Sequence, residues 1–300
     1  MDFTLITYKK FLKSLKKADY SFQTISQYLT AQVSKQVVLR HDTDKLPLNS
    51  LQFARIESQM GIKGTYYFRI VPESFNEKII KEIFSMGHEI GYHYEDLGAT
   101  AQRHKGITEG KELVKLAIES FENNLARLRE LVPVKTICMH GSPMSRWDSR
   151  LLWKYYDYHD FGVVSEPYFD INFNDVLYLT DTGRRWDGGL VSVRDKAQSS
   201  ELSAQGIDQF KDWKVKPIRY GANGSNKNIP FSQSPFPPNF PSFHSSFDII
   251  KAAESNRLPD KIMMTFHPQR WTDKPLPWMK ELVWQNVKNV GKYFLIRLRS

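Results

Sequence analysis

The sequence predicts an α/β protein whose parallel strands curl into a (β/α) barrel. Two observations carry that expectation. Short runs of β-branched and aromatic residues alternate with amphipathic segments of helical period, the pattern of a parallel sheet covered by helices. Acidic and histidine residues then fall at or just past the C-terminal ends of successive strand-like runs, where barrels carry their chemistry. A length of 300 residues suits one barrel and leaves no convincing linker, so the chain reads as a single domain over residues 1–300.

Residues 1 to about 35 read as a helical extension, with Phe11, Leu12 and Leu15 at helical spacing among lysines. Residues 37–42 form a short apolar run ending in polar groups, a buried strand that delivers chemistry at its C-terminal end. A helix over 49–60 places Leu51, Phe53, Ala54 and Ile56 on its apolar face, and a strand follows over 63–70. Helix 77–86 turns Ile79, Ile80 and Ile83 inward before a strand over 89–94. Over 109–132, Leu113, Ala117, Phe121, Leu125, Leu128 and Val132 recur every three or four residues, which predicts a long amphipathic helix. Strand 134–139 follows.

The second half is less regular. Short strands are expected at 162–165, 176–180 and 261–266, and a closing helix over 281–298 with a brief extended stretch near Phe294, Leu295 and Ile296. Glycines and prolines, among them Gly221, Gly224, Pro235, Pro237 and Pro238, predict an irregular loop over about 221–243. Its Phe231, Phe236, Phe240 and Phe243 could form a wall for stacking a sugar.

Bulk properties exclude several function classes. The net charge is +9, but Lys9, Lys10, Lys13, Lys16 and Lys17 crowd one segment and the other basic residues are scattered. With no basic run interleaved with aromatics, a nucleic-acid partner is not expected. The single cysteine, Cys138, rules out a disulfide within the chain and a four-cysteine zinc site; it reads as a small core residue. No stretch of about 18 apolar residues exists, so no membrane span is expected. The polar N-terminal residues do not read as a signal peptide, which makes a cytoplasmic location the expectation. Oligomeric state is not legible.

Candidate chemistry concentrates in four places. Arg40-His41-Asp42-Thr43-Asp44 sets Arg40 and Asp42 on one strand face, with Asp44 in the following turn. Two carboxylates this close can divide labour, one binding a cation and the other taking a proton. Gly87-His88-Glu89-Ile90-Gly91-Tyr92-His93-Tyr94-Glu95-Asp96 puts His93 at the reactive end, and His88 at the opposite end in a structural role. Met139-His140-Gly141-Ser142-Pro143 breaks a strand into a tight turn, and His267 ends the strand Met263-Met264-Thr265-Phe266. Each has a bland explanation; their convergence at matching strand ends describes an active site.

In this order the segments resemble the polysaccharide deacetylase superfamily (NodB homology, carbohydrate esterase family four) over roughly residues 36–272. The resemblance implies a distorted, usually seven-stranded (β/α) barrel and hydrolysis of an N- or O-acetyl group on a sugar or sugar precursor. It makes Asp42 the general base, His267 the general acid, and Asp44 and His93 ligands of a divalent metal, Zn²⁺ by preference. It departs at Leu97, where the family carries its second histidine ligand. Glu95, Asp96, His104 or His140 could supply the missing group, with His140 favoured and Glu95 second. Arg40, Glu95 and Trp186, the last in a segment similar to the family's tryptophan-bearing motif, are assigned to substrate contact. The departures keep two alternatives open: a metal-independent amidohydrolase acting on another C–N bond, and a carbohydrate-binding protein without catalysis.

Overall fold

The computed structural model describes residues 1–31, 33–107, 110–141, 147–173, 175–186 and 243–299, residues 290–299 by backbone alone. The loop over 221–243 lies outside this set except for Phe243, as do Ser142, Pro143 and Asp187. The architecture is mixed α/β. Among the described residues seven strands, all parallel, form a sheet curled as a half-barrel: β1 (Ser21–Gln23), β2 (Gln36–Thr43), β3 (Thr65–Phe68), β4 (Glu89–Tyr94), β5 (Thr136–Met139), β6 (Leu177–Thr180) and β7 (Lys261–Phe266). Their order is β5-β4-β3-β2-β7-β6, with β1 also on β2. β7 pairs with Gln36–His41, while β1 takes Gln36–Val38 and β3 takes Arg40–Thr43. β1 and β3 therefore share one edge of β2, end to end.

The pleat sorts side chains into two layers. Val37, Leu39 and Ile137 join the large core between sheet and helices, and so do Tyr66, Phe68, Tyr92, Tyr94, Met264 and Phe266. Their neighbours Val38, Tyr67, Cys138 and Met263 form a second, inner core with Ile25, Ile171 and Val176. Cys138 is thus the core residue expected of it. The helices are α1 (Leu5–Lys17), α2 (Ile25–Thr30), α3 (Pro47–Gln59), α4 (Glu77–Ser85), α5 (Asp96–Arg103) and α6 (Gly110–Arg129), then α7 (Pro167–Asp170), α8 (Ser246–Glu254) and α9 (Pro275–Arg299). No helix among the described residues is long and apolar enough to cross a membrane.

Three sequence expectations are corrected. The N-terminal segment is not helical throughout, because β1 interrupts it and α2 restarts behind a capping box of Thr24 and Gln27. α2 then seats on the N-terminal end of the sheet: Ile25 N donates to Thr65 Oγ1 (2.9 Å), and Ser26 Oγ and the Thr136 hydroxyl donate to Glu89 Oε1 (2.8 and 2.6 Å). No strand covers 162–165. Gly162, at φ +66°, caps a 3₁₀ turn, and only Ser165 bridges to Thr136. The extended stretch near 294–296 is instead part of α9, since a short apolar run fits either structure.

Candidate metal centre and catalytic site

β2 carries the first two groups. Arg40 and Asp42 stand two residues apart on its inner face. The guanidinium grips the carboxylate through two bonds, Nε to Oδ1 at 2.8 Å and Nη2 to Oδ2 at 2.7 Å. Both residues are buried, and Arg40 lies over the rings of Tyr67 and Tyr168. Burial works to raise the Asp42 pKa, but Arg40 and His93 outweigh it and hold it below the ordinary aspartate value. Asp42 is therefore ionised near neutral pH.

Asp44 sits just past the end of β2, held by a backbone bond from its N–H to the Asp42 carbonyl (3.1 Å) and by Gln269 Nε2 donating to Oδ2 (2.9 Å). Its other oxygen, Oδ1, is buried and accepts no hydrogen bond. Two imidazole nitrogens face that oxygen: His93 Nε2 at 3.5 Å and His140 Nε2 at 3.4 Å. His93 stands one residue before the end of β4, and its Nδ1 donates to the Cys138 carbonyl (2.9 Å), so in its neutral form the imidazole carries its proton on Nδ1 and offers the Nε2 lone pair. His140 follows β5, anchored by its N–H on the Tyr94 carbonyl (2.8 Å), and its Nδ1 donates to Glu95 Oε2 (3.0 Å). Arg69 donates twice to Glu95 Oε1 (2.9 and 2.6 Å) and once to the Asp44 carbonyl (3.1 Å). Against the effect of burial, His140 and Arg69 bring Glu95 down to a pKa of about 2.

These three ligand atoms fit a cation. They lie within 4.8 Å of one another. Donors about 2.1 Å from a tetrahedral ion stand about 3.4 Å apart, close to the separations observed. The unpaired, buried Asp44 Oδ1 and the two imidazole nitrogens converge on one point, as the ligands of a shared cation do. Two imidazoles and a carboxylate suit Zn²⁺ or a similar divalent ion and leave coordination positions open.

His267 stands just past β7, which pairs with β2 on the edge away from β3. Its Nδ1 donates to Asp181 Oδ1 (2.6 Å) and its N–H to Oδ2 (2.9 Å). Asp181 is buried at the end of β6, and also accepts from Arg270 Nη1 (2.9 Å) and Trp271 Nε1 (2.6 Å). Burial alone would raise Asp181; His267 and Arg270 bring it to about 2. His267 also lowers the Asp42 and Asp44 pKa values, so one electrostatic site includes all three.

Of the residues singled out in the sequence, Asp42, Asp44, His93, His140 and His267 meet here, with Arg40 and Glu95 bound to members of the cluster. Arg40 and Glu95 were expected at the substrate; their guanidinium and carboxylate are instead committed to Asp42 and His140. Trp186 is not brought to the site. It is buried beneath Phe11, Phe266 and Trp271, with Nε1 donating to Ser246 Oγ (2.9 Å), because an indole fills the outer core once its N–H is satisfied. Phe243 is likewise buried and offers no sugar-stacking surface. Leu97 faces the core from α5, Asp96 bonds Tyr92, Ser120 and Asn124, and His104 is exposed beyond α5. His88 has its structural role, contacting the Ala54 carbonyl (3.0 Å) and accepting from Gly64 N (3.2 Å). The reading missed Asp181, Arg69, Gln269 and Arg270. For Asp181 the sequence carries only a weak signal, an acid directly after a strand. No family model, no curated protein and no solved structure matches the chain.

Proposed function

We propose that this protein is a metal-dependent carbohydrate deacetylase, a divergent relative of the polysaccharide deacetylases, acting on an N- or O-acetylated sugar or sugar precursor. The observation that carries the reading is the buried, unpaired Asp44 Oδ1 facing the Nε2 atoms of His93 and His140. Leu97 removes the family's second histidine, and His140 from the adjacent strand offers a replacement of the same chemistry.

Asp44, His93 and His140 would hold the cation, which when bound supplies Lewis acidity to an acetyl carbonyl and to water. Asp42, ionised and fixed by Arg40, accepts the proton of the attacking water. His267 delivers a proton to the departing amine nitrogen, whose expulsion as an anion would be prohibitive. Asp181 keeps the His267 Nδ1 proton in place and stabilises the charged imidazole, leaving Nε2 to exchange protons with substrate. Arg69 and Glu95 set the His140 tautomer that presents Nε2 inward.

The test is acetate release from a panel of N- and O-acetylated sugars, sugar phosphates and sugar nucleotides, before and after chelation and after Zn²⁺ return. Chelation should abolish release and Zn²⁺ restore it. Chelator-resistant hydrolysis, or no release across the panel by metal-loaded protein, contradicts the reading.

A further inference from the structure

α9 is amphipathic in the wrong sense for a helix that only packs on its own domain. The side turned to the protein carries Trp278, Gln285 and Asn289. Trp278 Nε1 donates to the Asp2 carbonyl (2.7 Å), Asn289 Nδ2 donates to the Gly183 carbonyl (3.1 Å), Arg184 Nη1 donates to the Trp278 carbonyl (2.9 Å), and Gln285 is 6% exposed. The side turned away carries Leu276, Met279, Val283, Trp284 and Val287, which are 77, 55, 63, 50 and 58% exposed. At 100° per residue these five fall on one face. A stripe of large apolar side chains, interrupted by Lys280, is a surface that binds something.

Charge selects the partner. The helix holds five basic residues, Lys280, Lys288, Lys292, Arg297 and Arg299, against the single acid Glu281. Lys280 is exposed within the stripe and Lys288 at its edge, over the Trp284 ring. A second copy of the same face would bring like charges together. A basic, tryptophan-bearing helix too polar to span a bilayer has the composition of one that lies in the headgroup layer of an anionic membrane. We propose that α9 is an interfacial helix that docks this protein on an anionic lipid surface. Its stripe enters the acyl boundary, and its lysines meet lipid headgroups. The packing of α9 on Gly183 and Arg184, two and three residues after Asp181, places the docked surface on the side of the molecule that holds the His267–Asp181 pair. The proposal does not depend on the deacetylase reading.

Co-sedimentation of the full chain tests it, using phosphatidylcholine vesicles with and without about 30 mol % phosphatidylglycerol. The expected result is binding to the anionic vesicles, weakened by salt, with little binding to neutral ones. Val283→Asp/Val287→Asp should abolish it and Lys280→Glu/Lys288→Glu should reduce it by at least about tenfold, both with unchanged circular dichroism. Three results would overturn the proposal. One is no binding to either vesicle. Another is equal binding to both. The third is a dimer by light scattering that Val283→Asp/Val287→Asp converts to monomer, which would assign the stripe to a second copy.

Discussion

Replacing Asp42 by asparagine keeps its shape and one of its two bonds from Arg40 but removes the proposed base. Since the candidate ligands are Asp44, His93 and His140, the variant should retain its metal while kcat falls by about 10²–10⁴-fold. Metal content measured beside acetate release checks both halves, and parallel loss of metal would move Asp42 into the ligand set. Glu95→Gln tests the support behind His140. A neutral amide no longer polarises the imidazole, and metal affinity should drop about 10–100-fold while the fold persists; titration calorimetry reads this directly. At this scale the sequence was informative where reactive side chains recur at strand ends. Asp42, His93 and His267 stand out together, by recurring at matching strand ends, and not one by one. Asp181 did not, because one acid after a strand looks like any turn residue until the imidazole it holds is in place. Trp186 misled for the converse reason: an indole looks the same in sequence whether it lines a cleft or fills a core.

Among the elements, the contact of α2 with the end of the sheet has a measurable energy. Glu89 gathers donors from Ser26, Thr65 and Thr136, joining α2, β3, β4 and β5. Glu89→Ala leaves these donors without an acceptor and should cost about 2–3 kcal/mol in urea unfolding. A loss under about 0.5 kcal/mol would show that water replaces the carboxylate. The helices over 49–60, 77–86 and 109–132 were legible because their apolar residues keep a 3.6 period over several turns, and each boundary fell within a few residues. β1 was not legible. Three residues, Ser21–Gln23, carry too little pattern, and their strand state comes from pairing with Gln36–Val38, a long-range contact. The reading at 162–165 failed because Gly162 turns the chain where β-branched neighbours suggested extension.

For the whole molecule, buried carboxylates of opposite behaviour shape stability against pH. Asp181 falls from 3.8 to about 2 on folding, so the folded form binds fewer protons there. Its contribution, roughly 2 kcal/mol, is present above about pH 4 and lost as pH drops through about 2. Glu95 acts in the same direction. Glu166 is the reverse. Burial raises it from 4.5 to about 7, against opposing bonds from Met139 N and Tyr168 N and the charge of Arg150. Its favourable contribution is complete below about pH 4.5 and lost as pH rises through about 7. Stability should therefore peak near pH 5. Glu166→Gln should flatten the limb between about pH 5 and 8 even if it lowers the peak, since the amide does not titrate; denaturant midpoints across pH would show it. An unchanged slope would remove Glu166 from the account. The mixed α/β class with a parallel sheet was legible at this scale because alternating elements are a global pattern; the sheet curls as a half-barrel where a barrel was expected.

The central claim is that Asp44, His93 and His140 hold one divalent cation. Anomalous diffraction at the zinc edge, from crystals grown with Zn²⁺, tests it most directly. The account predicts a single strong peak within bonding distance of Asp44 Oδ1 and the Nε2 atoms of His93 and His140, absent in His140→Ala crystals. No peak there, or a peak whose ligands exclude His140, would contradict it.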